Sequence, residues 1–200
     1  MPAQKTIALF PLQIILYPTI ASRMQIFEQR YLRLVRESMA NEQPFGIVPI
    51  VTGREVGKAP EIFSWGTLVL IRDFEQLSNG LLSVTVQGEQ RIHVLDTRVE
   101  EDGLMMADVE IFDEEDDESI GFAEDDLVDM LESLAKHMGV DKAVFLDGLT
   151  RATLVWRLAG VLPVDAERKM SLLAMTSVDE RLLEVKKWVI ELRMRGAKPA

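Results

Sequence analysis

The sequence predicts an α+β fold in which antiparallel strands come first and helices follow. Three observations carry this. Ser78-Asn79-Gly80 sits between two β-prone runs and Asp102-Gly103 between two more, which marks consecutive hairpins. Six acidic residues in a row, Asp113 to Glu118, then interrupt the pattern. Beyond them the apolar period becomes helical, with Leu127, Leu131, Leu134 and Met138 on one stripe. Strands grouped first and helices grouped afterwards point to an α+β architecture.

Taken in order, residues 6–17 read as two extended pieces bent at Pro11, since proline lacks a donor and biases its predecessor toward extended backbone. Met24 to Ile26 reads as a short strand. A helix follows over about residues 27–40, with Phe27, Tyr31, Leu34, Val35 and Ser38 on its apolar face and Arg30, Arg33, Arg36 and Glu37 on its wet side. Phe45 to Val51 is a continuous apolar run of strand length, in which Pro49 implies a bulge or an edge. Residues 52–61 form a Gly/Pro loop. The first hairpin pairs Leu68–Phe74 with Leu81–Val86, and the positive φ tolerated by Asn79 and Gly80 fits a tight primed turn. The second pairs Arg91–Val99 with Leu104–Phe112.

Six like charges cannot be buried together, so Asp113–Glu118 reads as a solvated boundary. In the helical part, Lys136, His137 and Gly139 suit a helix C-terminus. Thr150 and Asp165 are placed as N-caps, with Gly160 and Pro163 between them as a helix end, and Ser177-Val178-Asp179-Glu180 has the form of a capping box. The last helix carries Leu182, Val185, Val189 and Leu192 on one face. Arg195 to Ala200 reads as a frayed tail.

Composition excludes several functions. Hydrophobic residues make up 48% and charged residues 28%, close to the globular norm of about 45–50% and about 25%. There is no cysteine, which removes disulfides and thiolate metal sites; His93 and His137 are the only histidines, which removes histidine-rich ones. The net charge of −11 divides as −4 over residues 1–110, −11 over 111–150 and +4 over 151–200. An acidic balance repels nucleic acid and anionic membrane, although the basic last third tempers the point. Lys5 followed by an apolar stretch to Ile20 mimics a signal peptide, but Pro11, Gln13 and Pro18 break it. The run is also too short to span a bilayer, so the expected location is cytoplasmic.

The series Leu9-Phe10-Pro11-Leu12, Leu16-Tyr17-Pro18 and Ile26-Phe27-Glu28-Gln29-Arg30-Tyr31 resembles the opening of the Lon protease N-terminal, substrate-binding domain, in its free-standing bacterial form. Phe45-Gly46-Ile47-Val48, Gly53-Arg54-Glu55-Val56-Gly57, Gly66-Thr67 and Val86-Gln87-Gly88-Glu89-Gln90-Arg91 continue the likeness. Leu162-Pro163-Val164, Arg168 to Leu173, and Glu180-Arg181-Leu182 extend it over nearly the whole chain. The resemblance implies a PUA-like antiparallel pseudo-barrel with one helix over residues 1–112. An acidic linker at 113–122, a C-terminal helical bundle at 123–195 and a tail at 196–200 complete that organisation. It also implies a non-catalytic module that recognises unfolded or partner polypeptides, without the ATPase and peptidase parts of full-length Lon.

No catalytic constellation competes with that expectation. Gly53 to Ala59 has three residues between its glycines and alanine after the lysine, so it fails as a phosphate loop. Residues 113–118 lack calcium-loop spacing, and no Gly-x-Ser-x-Gly elbow occurs. No cofactor, no metal and no enzymatic activity are expected. RNA binding, which PUA-like barrels elsewhere perform, and an enzyme with a dispersed site are the alternatives. The candidate peptide-binding residues are Ile62, Phe63 and Trp65, an aromatic cluster beside the Gly/Pro loop, which would either form a contact surface or cover the barrel end. Of the adjacent Met105 and Met106, which face opposite ways on a strand, one belongs in the core.

Overall fold

The computed structural model describes residues 2–114 and 118–196, with only the backbone of Val144, Arg195 and Gly196. The chain divides into two compact units, residues 1–113 and 114–200. The first holds β1 (Ala3–Leu12), β2 (Ala21–Ile26), α1 (Gln29–Asn41), β3 (Phe45–Thr52), β4 (Glu61–Ile62), β5 (Trp65–Gln76), β6 (Leu82–Val99) and β7 (Met105–Phe112). The second holds a 3-10 turn at Phe122–Glu124 and then α2 (Asp125–Met138), α3 (Lys142–Leu146), α4 (Arg151–Val161), α5 (Ala166–Ala174) and α6 (Val178–Gly196). The fold is α+β with a mostly antiparallel sheet. No helix among the described residues is long and apolar enough to cross a membrane.

Five strands of the first unit close on themselves. The ladder runs β1-β7-β6-β5-β3, all antiparallel, and β3 returns to β1 through a parallel pairing of Leu9–Leu12 with Gly46–Pro49. One core cluster draws on all five: Ile7 and Leu9, Val48, Leu68, Ile92, and Met105, Ala107 and Val109. A second cluster takes the opposite faces of the same strands, with Phe10, Leu12, Phe45, Ile47, Val69 and Val84, and adds Tyr31, Leu34 and Val35 of α1. Strands buried on both faces read as continuous apolar runs, which is why Phe45–Ile50 shows no alternation. Met105 is the core methionine of its pair, and Met106 packs half-buried against the second cluster.

Local expectations are corrected at several points. β1 does not bend at Pro11: its ladder with β7 stops at Leu9↔Met105, so the missing N–H costs that ladder nothing. The runs 81–86 and 91–99 belong to one strand, β6, shared by both hairpins. Both hairpin turns have the same form. Leu77 N–H donates to Leu81 O (2.8 Å) and Gly80 N–H to Leu77 O (2.9 Å); Glu100, Leu104 and Gly103 repeat those bonds at 2.9 Å each. Only the glycines, at φ 83° and 85°, are left-handed, whereas Asn79 is not. The turns are therefore three-residue loops closed by a glycine bulge rather than two-residue primed turns.

Helix α1 begins at Gln29 behind its N-cap Glu28, so Phe27 lies outside the helix and is 55% exposed. Its place on the buried face goes to Arg30, only 5% exposed, which periodicity assigns to the wet side.

In the second unit the stripe of α2 is Leu127, Leu131 and Ala135, while Met138 is exposed and Leu134 half-buried. Gly139 takes the left-handed position after it. Thr150 caps α4 reciprocally with Thr153, and Asp165 caps α5 by accepting from Arg168 N–H (2.9 Å). α4 continues through Gly160 to Val161. Ser177 Oγ accepts from Asp179 N–H (3.2 Å) at the start of α6. Two large buried residues of α6 fall outside the expected stripe: Trp188 and Arg181.

Of the acidic run, residues 115–117 lie outside the described residues. Glu118 is exposed beside Arg151. Glu114 is not simply solvated. It meets the buried Arg181 guanidinium at 2.5 Å, and that guanidinium also donates to Met175 O (3.0 Å) and covers the Trp156 ring at 4.6 Å. Removing one partner from such a pair strands a buried charge, which costs about 3–5 kcal/mol.

Candidate apolar recognition surface

The predicted cluster occupies the β4–β5 corner. Ile62 and Phe63 are half-buried, and Ile62 packs against the ring-interior core. Phe63 N–H donates to Pro49 O (2.9 Å), and Ser64 O accepts from Val94 N–H (2.7 Å). Trp65 is stacked on His93 at 4.8 Å and tilted against Phe112 at 5.2 Å, with the Arg91 guanidinium 5.7 Å from the Phe112 ring. The three candidates thus sit together. Trp65 has part of its ring area committed to neighbours, so the corner offers a partly covered aromatic edge.

A more open apolar surface, which the sequence does not announce, lies elsewhere on the same unit. Phe27 and Phe74 are each 55% exposed. They line an open hollow of about 500 Å³ together with Ile26, Leu32, Leu81 and Leu82. Phe27 and Ile26 also border a smaller hollow of about 160 Å³, whose walls include Phe10, Leu12, Met24, Tyr31 and Val56. The position of Phe27 follows from where α1 starts. Phe74 stands beyond Val69, the last β5 residue with a β3 partner. The available signal was Phe27 directly before Glu28, a residue able to stand at an N-cap, but periodicity drew Phe27 onto the helix instead.

Polar groups hold the wall of the smaller hollow. Arg30 donates to Gly103 O (3.0 Å), Glu55 O (3.2 Å) and Glu28 Oε1 (3.3 Å), and its guanidinium lies 4.6 Å from the Tyr31 ring centre. Glu55 accepts from Gln13 N–H at 2.7 Å, and Glu28 from Gly57 N–H at 3.4 Å. One buried cation therefore ties the start of α1 to the β6–β7 turn and to the 53–57 loop. Burial pushes the Tyr31 phenol up to about 12, and its ring stacks on Phe10 at 4.0 Å. The phenol stays protonated at neutral pH and acts as wall rather than base.

His93 stands 3.8 Å from Glu110, and His137 Nδ1 is 2.7 Å from Ser133 O. Among the described residues no three His, Cys, Asp or Glu side chains cluster to hold a metal ion. What the surface offers is desolvation of apolar side chains beside a fixed polar rim, the chemistry of binding.

Comparison with known proteins gives a consistent result. The family model for the ATP-dependent protease La (LON) substrate-binding domain matches residues 6–190. The Lon protease of Bacillus thuringiensis (strain Al Hakam) is 24% identical over 197 residues, covering 90% of this chain and 23% of its own length. Lon protease 1 of Bacillus subtilis (strain 168) is 22% identical, covering 91% and 24%. The chain thus spans about a quarter of the length of these relatives. The crystal structure of a Lon N-terminal domain protein from Xanthomonas campestris superposes with a TM-score of 0.75 at 29% identity, covering 92% of this chain and 98% of that one. The N-terminal domain of Mycobacterium avium complex Lon protease shares the fold, with a TM-score of 0.64 at 16% identity, covering 92% and 97%.

Proposed function

The chain belongs to the Lon substrate-binding domain family, and from that premise we propose that it binds unfolded or partner polypeptides without acting on them chemically. The observation that carries this reading is the hollow bordered by Phe27 and Phe74, two aromatic side chains of the first unit that are more than half exposed. Exposed apolar area of this kind is costly in water and marks contact sites. Aromatic anchors in such sites dominate binding energy. The Ile62, Phe63 and Trp65 corner serves in this reading as a subsidiary patch.

The same reading takes residues 1–112 as a PUA-like pseudo-barrel, 113–122 as an acidic linker and 123–195 as a helical bundle, and places the protein in the cytoplasm. RNA is disfavoured because a net charge of −11 offers little counterion release.

The test uses reduced, carboxymethylated lactalbumin, a chain that stays unfolded, with binding followed by fluorescence anisotropy. Phe27→Ala and Phe74→Ala are each expected to weaken binding by about tenfold, with thermal unfolding nearly unchanged. Equal affinity in wild type and both variants sinks this assignment of the surface. Absence of any binding by the wild-type protein sinks the reading itself.

A further inference from the structure

We propose that the outer edge of β2 receives an extended segment of the bound polypeptide as an added strand, so that the guest's main chain is recognised as well as its apolar side chains. The proposal rests on the polypeptide-binding reading above and specifies its mode.

β2 pairs with β6 in unbroken register, from Ala21↔Gln87 to Ile26↔Leu82. Gly88 N–H donates to Ile20 O at 2.9 Å, which sets the parity of the ladder. Hydrogen-bonded pairs alternate along an antiparallel ladder, so Ser22, Met24 and Ile26 turn their main-chain groups toward β6. Those of Ala21, Arg23 and Gln25 turn away from it. Among the described residues no other strand pairs with β2. The open edge is therefore an ordered series of donors and acceptors at strand spacing, a pattern that another extended chain complements.

Two features distinguish this edge from an ordinary guarded one. A charged side chain normally protects an exposed edge. Here Arg23, the one charged residue of β2, reaches back across the sheet: its Nε donates to Ser83 Oγ at 2.8 Å and its guanidinium pairs with Glu75. The edge also leads directly into the smaller hollow, which Met24, Gln25, Ile26 and Phe27 line in succession. A strand added here places alternate side chains next to that apolar wall.

β5 offers a contrasting edge. It has no β3 partner beyond Val69, but its ladder with β6 shifts register between Ile71 and Asp73 and it carries Arg72, Asp73 and Glu75. Irregular register and charge both oppose strand addition. The occupant of the β2 edge is an unfolded segment, which brings both unpaired main-chain groups over several residues and alternate side chains for the adjoining hollow.

The experiment uses the full chain and the tightest-binding ten-residue peptide from reduced, carboxymethylated lactalbumin. Alternate amides of the peptide are N-methylated in two complementary sets. Strand addition predicts that one set weakens binding by about tenfold or more while the other changes it by less than about twofold, because only one set faces β2. Amide hydrogen exchange at Arg23 and Gln25 slows on saturation with the unmethylated peptide, while amides of Leu70 to Gln76 keep their rates. Binding that tolerates both sets, or that loses equally with both, overturns the proposal and leaves side-chain recognition standing. Concentration-dependent protection of Arg23 and Gln25 without peptide assigns the edge to a second copy of the chain and also overturns it. A wild-type protein that binds neither the peptide nor its parent chain removes both readings.

Discussion

Two aromatic surfaces of the first unit make an instructive pair. At the β4–β5 corner, Trp65 rests on His93 and Phe112, and the neighbouring backbone is bonded to Pro49 and Val94. Around the larger hollow, Phe27 and Phe74 are more than half exposed. Residue type is alike in the two places. What differs is whether the surrounding ladder supplies a partner for the ring. The rings at the corner are stacked on one another, whereas Phe27 precedes a helix and Phe74, though paired with β6, lies where β5 has lost its β3 partner, and both rings stay in water.

The comparison breaks most severely at Arg30, which fastens the wall of the smaller hollow. Arg30→Met keeps the stem and removes the guanidinium, leaving Gly103 O and Glu55 O without it. Loss of a buried, hydrogen-bonded cation is expected to cost about 3 kcal/mol or more in denaturant unfolding. A midpoint within error of wild type would show that the hollow stands without its polar frame.

A sharper division comes from Trp65→Ala, compared with Phe27→Ala. Removing a half-buried, stacked indole is expected to cost about 2–3 kcal/mol of stability, below the range for full burial. Its effect on affinity for the unfolded chain should be smaller than that of Phe27→Ala. Thermal unfolding and anisotropy measured side by side decide it: the reverse ranking exchanges the roles of the two surfaces.

The smallest effect concerns the rim. Gly80, at φ 83° with nothing near the position of a Cβ, borders the larger hollow. Gly80→Ala is expected to cost about 1 kcal/mol through backbone strain alone, measured by chemical unfolding, and to leave affinity unchanged. A loss of binding without a loss of stability would mean that the turn itself touches the guest.

The sequence disclosed those parts of the fold whose cause is local. Gly80 and Gly103 mark two hairpins, and Thr150 and Asp165 mark two helix starts, because turns and caps demand particular residue types at particular offsets. The parallel closure of β1 on β3 left no such mark, since Leu9 and Gly46 meet across a long separation. Arg30 and Arg181 were unreadable for another reason. A charged side chain is presumed wet until its acceptors are known, and two of the three of Arg30, Gly103 O and Glu55 O, come from segments distant in the chain. The Ile62–Trp65 cluster was legible as a group, but the stacking of Trp65 on Phe112 was not. Phe27 was visible and misassigned, because periodicity cannot tell a residue just ahead of a helix cap from one in the first turn.

The pairing of β1 with β7 also sets a schedule. Ala3 meets Ile111 and Leu9 meets Met105, so the first strand acquires its antiparallel neighbour only after some hundred further residues have been made. At ribosomal speeds of about 5–20 residues per second, that interval is on the order of 5–20 s. Throughout it, Ala3 to Leu9 must wait without the partner that completes their ladder, while the hairpins in between form from nearby sequence in microseconds. The nascent β1 is therefore an apolar strand whose exposed edge invites shelter by a chaperone until β7 is made.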